Sequence, residues 1–333
     1  MDFDPEKVAF TQPILMNGRF DNPPTFTEWR WPPSCSDVIR WVLTKNNENL
    51  PPKKELDKTL PIVTPDFGGD KDMRFTWMGH ASCLVQMFGK NFLTDPIWSA
   101  TAGPAIPCLT TARYRDPPVA LEELPNVDVV LISHNHVDHL DSATVRQLEQ
   151  LYQPAWFVPL GLKSWFDKER IKRVVELTWG QEMRVDDFAI GCVPAQHWSK
   201  RSINDDFRSL WCGWVVHRMD KRFYFSGDTG FCKEAFEKIG AKYGPFDLSL
   251  IPIGAYAPRW FMRPQHIGPV EAVEVHKLVK SKKSVGIHWG TFHMGSKEFY
   301  LEPKTLLAES AHKAGLPEDE FITVHHGETL LID

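Results

Sequence analysis

The chain has 333 residues, of which 42% are hydrophobic, enough to fill one large domain or two small ones with a sizeable core. A net charge of −5 and a pI of about 6.2 lack the basic excess that nucleic-acid binding calls for, so no nucleic-acid partner is expected. No apolar run reaches the length of a membrane span, and the acidic start Met1-Asp2-Phe3-Asp4 is no secretory signal.

Residues 1–70 read as an extension packed on a main unit. Pro23-Pro24, Pro32-Pro33 and Pro51-Pro52 interrupt it, leaving room for one short helix. Ser36 or Asp37 would cap that helix, and Val38, Ile39, Trp41 and Val42 would supply its apolar contacts. Phe20, Phe26, Trp29 and Trp31 precede it. The extension serves as a strap on the main unit, as a membrane-contacting surface, or as both. Thirteen tryptophans in the chain fit either a core or a lipid–water boundary. The six cysteines form no C-x-x-C pair and read as reduced intracellular thiols.

Strand texture begins at Met73, with Arg74–Met78, Cys83–Phe88 and Asn91–Thr94 separated by turn residues. His80 reads as a hydrogen-bonded structural histidine that could also reach a metal. Asp95 is a candidate acceptor for the free N–H of a ligand histidine. Thr101–Pro118 reads as a loop. The buried strand Val127–Ile132 then runs into Ser133-His134-Asn135-His136-Val137-Asp138-His139, with three imidazoles and a carboxylate inside six residues. Imidazole and carboxylate suit zinc. One ion offers too few positions for these donors plus distant ones, so the spacing suggests two ions. His134 and His136 would hold one, and Asp138 and His139 would turn to the other.

A helix over Ser142–Leu151, a strand over Trp156–Pro159 and a helix over Ser164–Glu169 follow. Strands at Arg173–Leu177, Met183–Val185 and Phe188–Val193 come next, and the last delivers His197 at its end as a third imidazole. Leu210–His217 and Arg222–Phe225 form a hairpin ending at Gly227-Asp228-Thr229-Gly230. Asp228 is the candidate bridging carboxylate, since two oxygens can link two cations. The strand Asp247–Pro252 leads to an aromatic loop, Tyr256–Met262, read as a substrate wall, and then to His266. A helix over Pro269–Val279 and a strand over Ser284–Ile287 deliver His288, which completes the ligand count. A helix over Lys304–Ala314 precedes a closing hairpin of Phe321–Val324 and Glu328–Ile332, whose turn holds the structural pair His325-His326. Mixed α/β texture in both halves, with candidate ligands recurring at strand ends, predicts two sheets packed face to face with helices outside.

His134-x-His136-x-Asp138-His139, His197, Asp228 and His288 resemble, in order and spacing, the metallo-β-lactamase superfamily. The resemblance extends to its N-acyl-phosphatidylethanolamine-hydrolysing phospholipase D family. It is carried by Leu131–His136, Pro194-x-Gln196-His197-Trp198, Gly227–Gly230, Gly244–Leu248, Ile251–Met262 and Ile287–Phe292, with Glu55–Pro61 in the extension. It implies an αββα sandwich over residues 71–333 and two Zn2+ per chain. One zinc would be held by His134, His136 and His197 and the other by Asp138, His139 and His288, with Asp228 bridging. The implied reaction is attack on the phosphodiester to release phosphatidic acid and an N-acylethanolamine at a membrane surface, with the enzyme bound peripherally. His266 matches a residue near the substrate phosphate, Lys200 and Asn204 match bile-acid-binding positions, and a homodimer is implied. Val137 replaces the tyrosine of the vertebrate enzymes, removing a phenol from a substrate-facing position, and His293 stands where an apolar side chain is expected. The alternatives are another hydrolase on the same scaffold (a lactonase, thioesterase or nuclease) and a non-catalytic lipid-binding metal scaffold.

Overall fold

The computed structural model describes residues 8–44, 50–69, 72–103, 110–293 and 296–333. The chain opens with a small hairpin, β1 (Ile14–Met16) and β2 (Arg19–Asp21), followed by α1 (Cys35–Thr44) and α2 (Lys53–Thr59). An antiparallel meander comes next: β3 (Met73–Gly79), β4 (Ser82–Met87) and β5 (Lys90–Thr94). The stretch read as a loop carries a two-stranded ladder, β6 (Thr101–Ala102) and β7 (Thr111–Ala112), and residues 104–109 between them lie outside the described residues. The chain then alternates β8 (Val129–Leu131), α3 (Ser142–Tyr152), β9 (Ala155–Pro159), α4 (Lys163–Lys168) and β10 (Val174–Leu177), and its strands extend the meander in parallel.

The second sheet starts with the antiparallel β11 (Glu182–Val185), β12 (Phe188–Val193), β13 (Gly213–Arg218) and β14 (Lys221–Phe225). After α5 (Lys233–Lys242), the strands β15 (Leu248–Pro252), β16 (Ser284–Ile287) and β17 (Phe321–Ile322) add in parallel, with α6 (Arg259–Met262), α7 (Pro269–Leu278) and α8 (Glu302–Lys313) between them. Among the described residues each large sheet has seven strands, and β18 (Thr329–Leu331) closes the first.

Period-two alternation fixes which way the layers face. On β8 and β9, Val129, Leu131, Ala155 and Phe157 enter the core between the sheets. Val130, Trp156 and Val158 enter a second core under Val145, Leu148 and Phe166 of α3 and α4. Strands apolar on both faces must be covered on both. The result is the expected αββα sandwich.

The closing hairpin does not form. β17 pairs with β16 in the second sheet, and β18 pairs with β3 in the first. Alternation marks both segments as strands but names no partner, and each satisfies an open sheet edge. Between them His326 is fully buried, its ring 4.2 Å from that of Trp77 and its Nε2 3.1 Å from Thr291 Oγ1. Strand β13 also starts later than Leu210, because Leu210 N–H donates to Leu160 O and Cys212 N–H to Ser133 O. The extra residues thus tie the second half of the chain to the loops of the first. The α1 cap is Ser34, which accepts from Asp37 N–H at 3.1 Å, in place of Ser36 or Asp37.

Residues of the extension lie inside the inter-sheet core. Phe10, Phe20, Phe26, Leu56 and Leu60 are buried there, with Phe26 5.8 Å from Trp179 and Phe10 6.4 Å from Tyr243. Burying a phenylalanine or leucine contributes on the order of 1.5–3 kcal/mol. In contrast, α1 buries none of its side chains and presents Val38, Ile39, Val42 and Leu43 outward. No helix among the described residues is long and apolar enough to cross a membrane. Deleting residues 1–70 should uncover the core, lowering the melting temperature and raising binding of an apolar dye. An unchanged melt would contradict this packing.

Candidate metal centre

The ends of strands from both sheets meet at one edge of the sandwich. His80 follows β3, Asp95 follows β5 and the His134–His139 loop follows β8. From the second sheet, His197 follows β12, Asp228 follows β14 and His288 follows β16. Three of these residues take left-handed backbone angles, His80 (φ 54°), Asp95 (φ 32°) and His288 (φ 62°), a local strain of order 1–3 kcal/mol each. Gly227 also needs such an angle (φ 60°), and a Cβ there would lie 2.6 Å from the Ser133 Cβ. The Asp228 turn thereby packs against the histidine loop.

Two donor sets result. His134, His136 and His197 form the first: His134 Nε2 lies 2.8 Å from His136 Nδ1, and His197 Nε2 lies 3.2 Å from the same atom. Asp138, His139 and His288, joined by His80, form the second: His139 Nε2 stands 3.2 Å from His288 Nε2 and 3.4 Å from Asp138 Oδ2. Asp228 Oδ2 sits between them, 3.2 Å from the Nε2 atoms of His139 and His288 and 3.9 Å from that of His197. Ligands about 2.1 Å from one tetrahedral zinc lie about 3.3 Å apart, close to these spacings.

Hydrogen bonds behind the rings choose which nitrogen faces inward. His139 Nδ1–H donates to Asp95 Oδ2 at 2.7 Å, and His197 Nδ1–H donates to Gln265 O at 3.0 Å. His134 Nδ1 lies 2.8 Å from Ser133 Oγ, whose hydroxyl donates to the same Asp95 oxygen. Each Nε2 then faces inward, where a cation could take its lone pair. The fit to metal is also visible in what lacks a partner: Asp228 Oδ1, and His266 Nδ1 on the side facing Asp228, are buried with no hydrogen bond. Buried polar atoms normally find a partner, and a cation at this cluster of donors would supply the missing attraction.

Burial disfavours charge on most of these imidazoles. It pushes His136 down to about 4, His197, His266 and His80 down to about 3, and His134 well below the ordinary value. Burial also opposes a charge on His139, but Asp228 and Asp138 override it and hold that ring well above its usual range. The same pairing keeps both carboxylates well below theirs against the cost of burial, while burial raises Asp95.

Other residues singled out from the sequence fall into place around this centre. His266 turns Nδ1 toward Asp228 Oδ2 at 3.8 Å. His80 Nε2 meets Asp138 Oδ2, the oxygen that also faces His139, at 3.1 Å. Val137 lies half-buried on the lip, flanked by His136 and Asp138. Lys200 and Asn204 are exposed on the turn after His197. Lys200 Nζ is 4.0 Å from Asp206, and Asn204 lines a cavity of about 590 Å³ with Lys168, Arg201 and Arg208. Sequence reasoning missed Ser133, Gln265 and Asn22, whose Nδ2 donates to His197 O at 2.8 Å. Only adjacency to His134 and His266 could have flagged the first two.

Fold and donor set together define a metal-dependent hydrolase of the metallo-β-lactamase fold. A Beta-lactamase superfamily domain matches residues 90–289. The solved structure of isothiocyanate hydrolase from Delia radicum gut bacteria shares the fold, with a TM-score of 0.60 and 23% identity over 78% of this chain and 98% of that one. N-acyl-phosphatidylethanolamine-hydrolyzing phospholipase D 1 of Caenorhabditis elegans is 45% identical over 96% of this chain and 94% of its own. The mitochondrial enzyme of that name from Saccharomyces cerevisiae is 35% identical over 80% of this chain and 58% of its own. The chain belongs to the N-acyl-phosphatidylethanolamine-hydrolysing phospholipase D family of that superfamily.

Two outcomes follow from the geometry. Asp228→Asn removes a negative charge from between the donor sets. It should lower metal affinity by more than the roughly 10–100-fold typical of residues that only support a ligand. Metal titration checks this, and unchanged affinity would remove Asp228 from the bridge. The second outcome concerns pH. A histidine depressed in the folded state stays neutral while its unfolded counterpart takes up a proton below about 6.5, so stability falls with pH in that window. His139 has the opposite sign, but the depressed group is larger: His80, His134, His136, His197, His266 and the distant His326, which burial pushes down to about 3. The metal-free protein should therefore melt at progressively lower temperature between pH 7 and pH 4.5. A flat profile would contradict the burial-driven shifts.

Proposed function

We propose that the chain binds two Zn2+ and hydrolyses N-acyl-phosphatidylethanolamine to phosphatidic acid and an N-acylethanolamine. The observation that carries this reading is the pair of donor sets with Asp228 between them, in a chain whose relatives bear that activity in their names. Zinc held there would lower the pKa of a coordinated water to about 7 and offset phosphodiester charge.

The protein's own groups orient the reaction. Asp95 and Gln265 fix the histidine tautomers, and His80 holds the Asp138 carboxylate. His266, on the open side, offers its imidazole to a phosphoryl oxygen or to the leaving ethanolamide oxygen. Val137 gives the lip an apolar contact in place of a phenol. The outward apolar side chains of α1 continue into α6, where Trp41 stacks on Phe261 at 5.3 Å and Arg40 covers Trp260. This surface suits peripheral contact with a lipid layer that presents the substrate. An anionic amphiphile of bile-acid type near Lys200 and Asn204, and a homodimer, complete the proposal.

The test offers purified protein N-acyl-phosphatidylethanolamine, phosphatidylcholine and a lactone, with and without chelator. N-acylethanolamine should appear from the first substrate alone and disappear on chelation, and turnover of the lactone alone would overturn the reading. His266→Ala should keep its zinc yet lose roughly 10²–10³-fold in kcat, the size of one lost transition-state hydrogen bond. Loss of metal in that variant would reassign His266 as a ligand.

A further inference from the structure

Arg201 stands outside the donor sets, on the turn that follows His197. Its guanidinium reaches back across the sandwich to the other histidine loop. Nη1 donates to Leu140 O at 2.6 Å and to Asn135 O at 3.3 Å, and Nη2 donates to Ser142 Oγ at 2.7 Å. Asn135 lies between His134 and His136, and Leu140 follows His139. The guanidinium also lies over the Trp165 ring, its central carbon 5.3 Å from the ring centroid. At the other end, Asp205 Oδ1 accepts from the backbone N–H groups of Arg201 and Ser202, closing the turn that carries the side chain.

We infer that Arg201 is a positioning residue for the first metal. It staples the loop of His197 to the loop of His134 and His136, two loops that come from different sheets. The physical need is specific. His134 and His136 come from the first sheet and His197 from the second, and a set split between two layers drifts apart if the layers move independently. A planar fork with several donors can satisfy two carbonyls and a hydroxyl at once. Lysine, with a single ammonium nitrogen, cannot span all three. Arg201's own turn carries His197 and Asn135 sits between His134 and His136, whereas in the second set only His139 neighbours a contacted residue, Leu140, so the effect should fall unevenly on the two sets.

This inference rests on the two-cation reading proposed above, and the experiment keeps the two apart because it counts metal and uses no lipid. The native protein, Arg201→Met and Arg201→Lys are stripped and titrated with Zn2+ while melting is followed in the metal-free state. Arg201→Met should bind one zinc as the native protein does and the other about 10–100-fold more weakly, the loss typical of a residue that orients a ligand. Arg201→Lys should recover only part of that loss. In a His197→Ala background, Arg201→Met should add no further loss, whereas in His288→Ala it should weaken the remaining site. Unchanged affinity at both sites, or an equal loss at both, would overturn the staple. Should Arg201→Met fail to fold, Ser142→Ala, which removes one of the three acceptors, must show a smaller loss confined to the same site. A native protein that binds a single ion would sink the two-cation reading alone. Arg201→Met would still have to weaken that ion, and unchanged affinity would still refute the inference.

Discussion

The structure depends on keeping a crowd of like donors together where water is largely excluded. Within one pocket, imidazole nitrogens approach each other at 2.8 and 3.2 Å, and two carboxylates stand beside them. A neutral imidazole has one donor and one acceptor nitrogen, so a cluster this dense cannot pair every inward nitrogen with another ring. The free energy that holds them has to come from a cation, or from packing strong enough to impose the arrangement. The donors are of the kind that suits zinc, and rigid strand ends with strained left-handed residues impose the geometry in advance. His139 shows the competition at a single atom. Asp228 and Asp138 push its ring well above the usual imidazole range, so a proton on that ring competes for the place that a metal would claim.

The sandwich explains why those donors must come from far apart in the chain. The first sheet supplies the compact His134–His139 loop, while the second supplies His197, Asp228 and His288 one by one from successive strand ends. The seam between the layers is therefore the site. What clamps the seam is not confined to the donors. Cys212 N–H reaches Ser133 O, Trp214 Nε1–H reaches Ile132 O, and Asn22 from the extension holds the backbone of His197. The extension thus belongs to the core and to the back wall of the site at once, which a linear division at residue 70 does not convey.

Much of this was legible in the sequence, for a definite reason. A cluster of ligands after an apolar run, repeated as single ligands after later runs, is a chemical pattern with a spatial meaning: strand ends gather along one edge. The seven donors and the αββα layering could be read that way. Partner choice could not. Phe321–Ile322 and Thr329–Leu331 each read as strands, yet nothing in period-two alternation tells a strand which edge to join, and they join different sheets. Supports acting through backbone carbonyls were equally hidden. Arg201 and Asn22 make their decisive contacts to carbonyl oxygens, which every residue carries, so no residue type marks the recipient. Ser133 was obscured by its position, lying between strand and motif and looking like a spacer.

Charge gives the last link between this architecture and an anionic lipid. The chain is acidic overall, and the open cluster contains Asp138 and Asp228, with Asp95 behind it. Without cations, those carboxylates would repel a phosphodiester, and burial keeps most of the surrounding histidines from offsetting them. Two divalent ions held there, as proposed, would reverse the sign of the pocket, since four positive charges exceed three carboxylates. Attraction for the substrate and the capacity to react with it therefore arise from the same ions. A long-range field from the protein surface would add little, because an acidic surface screened by salt works against an anion. On the proposed reading, recognition is short-range, at the lip formed by His136, Val137, Asp138 and His266, and apolar contact would bring the lipid near enough to feel it.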